Sequence, residues 1–275
     1  MFIDSFQDNW LDVLAKRTAA LPDYINLYLL LDGVFVPGIY RTRPFAVSGE
    51  SAVHLLFEVL PGCTDAVKDV SPFLVSIRET DGSLVHRLPS RLSPCSGFPM
   101  VSAIATTESL DELGQRLAAW CVIENDGQRF NFRFPDTRRL PGLYGALNPG
   151  QRVQFCGPMI FWTYIGRDGA WADLEVAGQK SDIASNPQLG DEQFGRMVED
   201  SAADEVLFRL AYRGFAPVGS HCVLHATVSS ALITAREAEL DEDLRAEWCE
   251  YIIRNGRGHD SADGLAQWLT SLTDA

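Results

Sequence analysis

The chain of 275 residues is 46% hydrophobic and 22% charged, and it carries a formal net charge of -14 at pH 7. This apolar fraction is ordinary for a globular protein, and the length allows one large domain or two unequal lobes. The acidic balance argues against nucleic acid and anionic membranes as the main partners, because binding to either requires a basic surface.

The N-terminal part of the chain alternates between helical and extended patterns. Apolar residues at helical spacing predict a helix over residues 5–19. Apolar runs that stop at turn residues predict buried strands over residues 25–31, 53–60 and 73–77. Asp81 and Gly82 then turn the chain toward an extended segment at 84–88, and three prolines predict a loop over 89–99.

Asp32 and Gly33 follow the first of these strands. A carboxylate at a strand end is sometimes catalytic, but no histidine, lysine or metal-ligand cluster stands beside Asp32 in the sequence. We therefore interpret Asp32 as a turn or helix-capping residue.

The segment 100–134 predicts a strand, a helix and a hairpin in succession. Residues 100–105 are extended, and Ser109 with Glu112 has the spacing of a capping box ahead of a helix over 110–120. A turn at 125–127 joins the two strands of the hairpin, and Pro135 ends the second. Strand periodicity places Phe130, Phe132 and Phe134 on one face of that second strand, and Arg129, Asn131 and Arg133 on the other.

Turn residues interrupt the chain after Pro135. A Pro-Gly turn is predicted at 141–142, a short helix begins at 148–150, and residues 159–164 and 170–176 predict another hairpin. The polar, glycine, proline and aromatic residues that mark these breaks include Asp136, Arg138, Gly157, Pro158 and Trp162.

This order of elements resembles the core motif of the type VI secretion effector chaperones, also called effector adaptors, of the Tap/TEC kind. Members show an early aspartate-glycine pair, a phenylalanine-arginine-phenylalanine strand, an aspartate-proline-arginine turn, and a glycine-proline pair followed by tryptophan. The counterparts here, between about residues 26 and 164, are Asp32, Gly33, Phe132, Arg133, Phe134, Asp136, Arg138, Gly157, Pro158 and Trp162. Pro135 stands where an aromatic residue is usual, and Thr137 stands where proline is usual.

The resemblance implies an adaptor that has no catalytic residues, no cofactor and no metal. Such a protein binds a toxic effector protein and loads it onto VgrG, the spike protein of the secretion apparatus. The ten motif residues are then structural. Together with the acidic charge, this leaves neither nucleic acid nor a membrane among the expected partners.

The hydrophobic period changes from 2 to 3.6 at about residue 185. Helices are predicted over 192–212 and 221–236, and two more follow, with apolar stripes that start at Leu240 and Leu265. We expect a mixed α/β N-terminal lobe, residues 1–180, with a central sheet and flanking helices, and a mostly α-helical C-terminal lobe, residues 188–275. From residue 191 onward the chain has 16 acidic and 7 basic residues, which indicates either a solvated face or a surface for a basic partner segment.

The sequence contains no nucleophile elbow, Walker A loop or dinucleotide-binding fingerprint. His221, Cys222 and His225 have metal-ligand character, but zinc peptidases have glutamate where Cys222 stands, and we interpret the three as one side of a partly buried helix. The best polar group is Arg133, Asp136, Arg138 and Arg139. Ion pairing at a strand-to-loop corner explains this group more simply than anion binding does.

Six cysteines are scattered without a C-x-x-C pair, which is typical of buried thiols in a reducing compartment. No apolar run approaches the roughly 20 residues that span a bilayer. The N-terminus also lacks the regions of a secretory signal, so the cytoplasm is the expected location. Two alternatives to the adaptor stay open: an immunity protein whose acidic face masks a basic toxin site, and a small-molecule enzyme with a site near Asp32 and Arg133.

Overall fold

The structure, a computed structural model, describes residues 3–42, 45, 53–77, 88, 92–215, 219–256 and 259–273. The chain divides into two compact units, Met1–Met197 and Val198–Ala275. This division lies later than the sequence-based boundary between residues 180 and 188. The reason is packing: Leu189 and Met197 are buried in the core of the first unit, and the Phe194 ring contacts Phe130 there.

A six-stranded antiparallel sheet forms the centre of the first unit, with the strand order β2-β3-β1-β4-β7-β8, and β5 and β6 form a separate hairpin. The strands are β1 Asn26–Leu31, β2 Val53–Leu55, β3 Phe73–Ser76, β4 Val101–Thr106, β5 Val122–Asn125, β6 Gln128–Asn131, β7 Met159–Ile165 and β8 Trp171–Leu174. The continuous apolar run of β1 follows from its central place. Tyr28 and Leu30 enter the core on one face of the sheet, whereas Leu27, Leu29 and Leu31 enter the core on the other.

Helices cover both faces of this sheet. They are α1 Trp10–Ala19, α2 Asp65–Asp69, α3 Leu110–Ala119, α4 Leu140–Ala146 and α5 Pro149–Cys156. Leu113 and Leu117 of α3 and Phe155 of α5 are buried on one face, and Leu14 of α1 is buried on the other. The expected α/β lobe with a central sheet and flanking helices is confirmed.

Four helices account for the regular structure described in the C-terminal part: α6 Asp191–Tyr212, α7 His221–Glu237, α8 Glu242–Asn255 and α9 Ala262–Thr273. The second unit has its own apolar core, in which Trp248 contacts Trp268 and Tyr251. The mostly helical C-terminal part is therefore confirmed. None of the helices in the described ranges is both long and apolar enough to cross a membrane.

Several predicted boundaries were wrong because tertiary contacts displaced local patterns. Helix α1 begins at Trp10 rather than residue 5, since the backbone of residues 3–7 bonds to the loops at Gly97, Arg167 and Gly169. The strand predicted over 53–60 stops at Leu55, after which the Phe57 N–H donates to the Ser71 hydroxyl and the chain turns.

Two further predictions have other outcomes: one assigned the wrong type of element, and the other falls mostly outside the described residues. The Pro-Gly pair at 141–142 is the first turn of α4 rather than a separate turn, because proline lacks only an N–H that a helix start does not use. The turn at Asp81 and Gly82 and the extended segment at 84–88 lie outside the described residues, apart from Leu88.

Candidate functional site

Four charged motif residues that are distant in the sequence meet at one corner of the first unit. Arg133 Nη2 donates to Asp32 Oδ2 at 3.0 Å and lies 3.9 Å from Asp136 Oδ2. Arg138 donates from Nε and Nη2 to the two carboxylate oxygens of Asp136, at 3.1 and 2.8 Å. The bidentate Arg138–Asp136 pair has a fixed geometry and orders the loop after Phe134, and the Arg133–Asp32 hydrogen bond joins this segment to the end of β1.

Asp32 forms a tight turn at the end of β1. Its side chain is 2% exposed, and Oδ1 accepts a hydrogen bond from the Val34 N–H at 3.2 Å, as the turn interpretation requires. Burial raises the pKa of Asp32, while Arg133 and the Val34 N–H act in the opposite direction. Gly33 is needed beside it, because a Cβ there would lie 2.4 Å from the Ser71 carbonyl oxygen.

The aromatic motif residues lie in the core around Phe155. The ring centroids of Phe132, Phe134 and Trp162 are 6.0, 5.2 and 5.2 Å from that of Phe155, and Trp120 joins them at 5.3 Å. All five side chains are buried. Since edge-to-face and offset aromatic contacts add to the energy of area burial, this aromatic cluster is a main source of stability for the first unit.

The phenylalanine-arginine-phenylalanine segment is not part of a strand, and that prediction was wrong. Strand β6 ends at Asn131, and the Phe134 N–H bonds to the Phe132 carbonyl at 2.7 Å, which bends the chain. Phe130 therefore separates from the other two rings and packs on Phe194, with a centroid distance of 4.6 Å. The bend lets Phe132 and Phe134 enter the aromatic cluster while Arg133 reaches Asp32.

Gly157 makes room for a buried arginine, Arg116, which was not among the predicted site residues. The φ of Gly157 is +56°, and a Cβ would lie 2.5 Å from Arg116 Nε. Arg116 of α3 is buried and donates to Glu108 Oε1 from Nε at 2.9 Å and from Nη2 at 2.6 Å. It also donates to the carbonyls of Gln154 and Ser181, and so joins α3, α5 and the segment that leads to α6.

The apolar pattern of α3 contained an indication that Arg116 is buried and paired. An arginine that stands between Leu113 and Leu117 on a buried helical stripe needs a buried partner. That partner, Glu108, is eight residues away and precedes the capping residue Ser109, so helix periodicity did not reveal it. Pro158 follows Gly157 directly, is half-buried, and precedes β7, which carries Trp162.

One comparison with known families gives a match. Residues 27–154 match the model of a family described as a domain of unknown function, DUF4123. No curated protein and no solved structure shows significant similarity to the chain. The DUF4123 segment, residues 27–154, contains the charged corner, Gly33 and the rings of Phe132 and Phe134. Gly157, Pro158 and Trp162 lie beyond its end, within the next eight residues.

Thr137 uses both of its donors inside the DUF4123 segment. Its N–H bonds to the Pro99 carbonyl at 2.9 Å, and its hydroxyl donates to the Ile165 carbonyl at 2.7 Å. The proline that is usual here in the effector adaptors has neither group. Threonine therefore ties the loop to two neighbouring segments in this chain.

The histidines of α7 lie along one side of that helix. His225 Nδ1 is 3.5 Å from the Ser229 hydroxyl one turn later, and His221 and Cys222 are half-buried. Within the described ranges, no three histidine, cysteine, aspartate or glutamate side chains lie close enough together to hold a metal ion.

A cavity of about 290 Å³ lies away from the charged corner, between α3, the β5–β6 hairpin and the segment before α6. Its lining is mostly apolar, with Val59, Leu60, Ala118, Ala119 and Val122, and it also includes Arg129. At the corner itself, both oxygens of Asp32 and both oxygens of Asp136 accept hydrogen bonds from protein donors. The corner therefore stabilises a loop and presents no open carboxylate.

Proposed function

We propose that the chain is a non-catalytic adaptor that binds a type VI secretion effector in the bacterial cytoplasm and loads it onto the VgrG spike protein. One observation carries the proposal. The DUF4123 segment, residues 27–154, falls within the range of about 26–164 over which the sequence resembles the effector adaptors.

The use of the motif residues supports this function. The charged ones bind each other, and the aromatic ones pack around Phe155, so the motif maintains a scaffold. A small-molecule enzyme with a site near Asp32 and Arg133 would need convergent polar groups in an open pocket. Asp32 is instead 2% exposed and bonded at both oxygens, which favours a binding protein over that enzyme.

Secretion of a neighbouring toxin tests the adaptor function. The strain must have a spike gene and a toxin gene beside the gene for this chain. We expect that deleting the gene keeps the toxin inside the cells while the tube protein of the apparatus still reaches the medium, and that the full-length gene restores toxin release. Unchanged toxin release in the deletion strain would contradict the proposal.

Co-expression with the toxin separates the adaptor from an immunity protein. The immunity protein is the second candidate because the C-terminal part is acidic and could mask a basic toxin site. An immunity protein abolishes the toxicity of its toxin, whereas an adaptor raises the amount of active toxin that the cell accumulates. Loss of toxicity on co-expression, together with self-intoxication of the deletion strain, would assign the chain to the immunity class.

A further inference from the structure

A stripe of apolar side chains on α6 points to solvent within the second unit. Phe208 and Tyr212 stand one turn apart and are 69% and 87% exposed, and Val198 on the same side is 55% exposed. We call these three residues the aromatic stripe. The opposite side of the helix supplies Ala203, Val206 and Leu210 to the core of the unit. The exposed side of the helix thus carries two aromatic rings and a valine where surface helices normally keep polar side chains, and Ser201 and Glu205 lie between Val198 and Phe208 on that side.

The second unit exposes more apolar side chains than its size explains. Among the described residues, eleven large hydrophobic side chains are exposed, and six of them belong to residues 198–275, little more than a quarter of the chain. Single exposed apolar residues are common, but two exposed aromatic rings one turn apart on one helix are typical of a surface that binds another molecule.

The charge around the stripe defines the chemistry of that molecule. Residues 198–275 include 14 acidic and 6 basic side chains, and the part of α6 in this unit has four acidic residues and one arginine. That arginine, Arg209, is bound by Glu205 at 2.8 Å and Glu242 at 2.7 Å. Arg236 and Arg254 likewise pair with Glu199 and Glu250. The acidic excess therefore attracts a cationic partner and repels anionic phospholipid headgroups and nucleic acid.

We propose that the aromatic stripe docks a cationic amphipathic helix of the effector. The apolar side of such a helix packs on Phe208, Tyr212 and Val198, and its lysine or arginine side chains flank this contact, attracted by the net negative charge of residues 198–275. Two anchors one turn apart suit a helical partner, because helices present side chains at the same spacing. The inference rests on the proposed function, which supplies the effector as the source of the helix.

A synthetic amphipathic helix of leucine and lysine serves as the probe, with fluorescence anisotropy of the labelled peptide as the measurement on the full chain. We expect the Phe208→Ser/Tyr212→Ser variant to raise Kd by about tenfold or more, since aromatic anchors dominate such interfaces. Tyr24→Ser is the matched control, because Tyr24 is 73% exposed in the first unit, and it should leave Kd unchanged. Equal Tm values show that the exposed substitutions leave the fold intact.

Any one of the following results would overturn the proposal. The first is that the double variant binds the peptide as tightly as the native chain does. The second is that a peptide of the same composition in scrambled order binds the native chain equally well. The third is that a peptide with glutamate in place of lysine binds it equally well. A dimer in sedimentation that the double variant dissociates would assign the stripe to a second copy of the chain instead, and would also overturn it.

Secretion separates this inference from the proposed function. In the deletion strain, the native gene should restore toxin release and the double variant should not. If both restore it, the stripe is not the docking surface and the adaptor function stands. If deletion never affected toxin release, the adaptor function fails, and the anisotropy result alone decides whether the stripe binds cationic helices.

Discussion

Asp32 is a carboxylate that folding removes from water. This burial determines whether its titration raises or lowers the stability of the fold as the pH increases. Because burial raises its pKa, the charged form is disfavoured in the folded state relative to the unfolded chain. Its contribution to stability is fully present below the unfolded pKa and is lost as the pH rises through the folded pKa.

The non-titrating variant Asp32→Asn makes this measurable. We expect the free energy of unfolding of the native chain, minus that of Asp32→Asn, to fall as the pH rises from about 4 to about 7. Urea denaturation across this range gives the difference at each pH. A difference that rises with pH would show that Arg133 and the Val34 N–H outweigh burial.

Arg133 matters to stability chiefly because its removal leaves Asp32 buried without its guanidinium partner. Breaking a fully buried pair costs about 3–5 kcal/mol. Arg133 is partly exposed, so solvent screening reduces the effect, and we expect Arg133→Ala to lower the free energy of unfolding by about 2 kcal/mol at pH 7. Urea denaturation measures this loss.

Two comparisons isolate the cause of that loss. The double variant Asp32→Asn/Arg133→Ala should lose less than Arg133→Ala alone, because it leaves no charge unpaired at this position. Arg129→Ala is the control. Arg129 is exposed and 4.0 Å from Glu124, so the change should cost less than about 0.5 kcal/mol. Equal losses for Arg129→Ala and Arg133→Ala would rule out a special role for the corner.

At the scale of elements, the connection from α5 to β7 is constrained by the Arg116 side chain, which packs against Gly157. Gly157 ends α5 with a positive φ, and the Arg116 guanidinium from α3 occupies the space where a side chain would lie. We expect Gly157→Ala to destabilise the chain by about 2 kcal/mol or more, because it adds both backbone strain and a clash with a buried ion pair.

Gly62→Ala is the control for a positive-φ glycine with free space around it, in the same thermal or urea unfolding measurement. Gly62 also has a positive φ, +79°, but nothing lies within 4 Å of an added Cβ. Its substitution should cost only the strain, about 1 kcal/mol. The Gly157 variant must lose clearly more than the Gly62 variant if the clash with Arg116 is real.

Local signals predicted those elements whose boundaries are set locally. The capping box at Ser109–Glu112 and the turn residues at 148–150 predicted the starts of α3 and α5, because each signal needs only a few consecutive residues. Sequence patterns predicted the wrong boundary where contact with a distant segment determines the end of an element. The Phe132–Phe134 bend depends on Phe155, and the early end of β2 depends on Ser71.

At the scale of the whole molecule, the sequence predicted the fold class but not the long-range contacts between its elements. The change of hydrophobic period separates sheet from helices. The Asp32–Arg133 pair spans 101 positions, and Arg116 reaches a carbonyl 65 positions away, distances over which periodicity carries no information. Ion pairing among Arg133, Asp136 and Arg138 could therefore be predicted from their closeness in the sequence, whereas the partnership of Arg133 with Asp32 could not.

The separate cores of the two units make a prediction about how the molecule opens. Trp248 and Ile252 belong to the core of the second unit, whereas Ile104 belongs to the core of the first. A large-to-small change in one core leaves a cavity that costs about 2–5 kcal/mol. We expect Ile252→Ala to accelerate amide hydrogen exchange in α7, α8 and α9 while β1 and β4 keep their protection, because opening follows local core stability.

Ile104→Ala is the matched variant in the other core, and it should show the reverse, with faster exchange in β1 and β4 and native exchange in α7 to α9. Mass spectrometry of peptides from both units reads out the two variants in one experiment. If either variant accelerates exchange equally in both units, the chain opens as one cooperative body, and Val198–Ala275 is not an independent unit of stability. If the reciprocal pattern holds, the surface of the second unit is supported by its own core, so substitutions on the aromatic stripe can be interpreted without reference to the sheet.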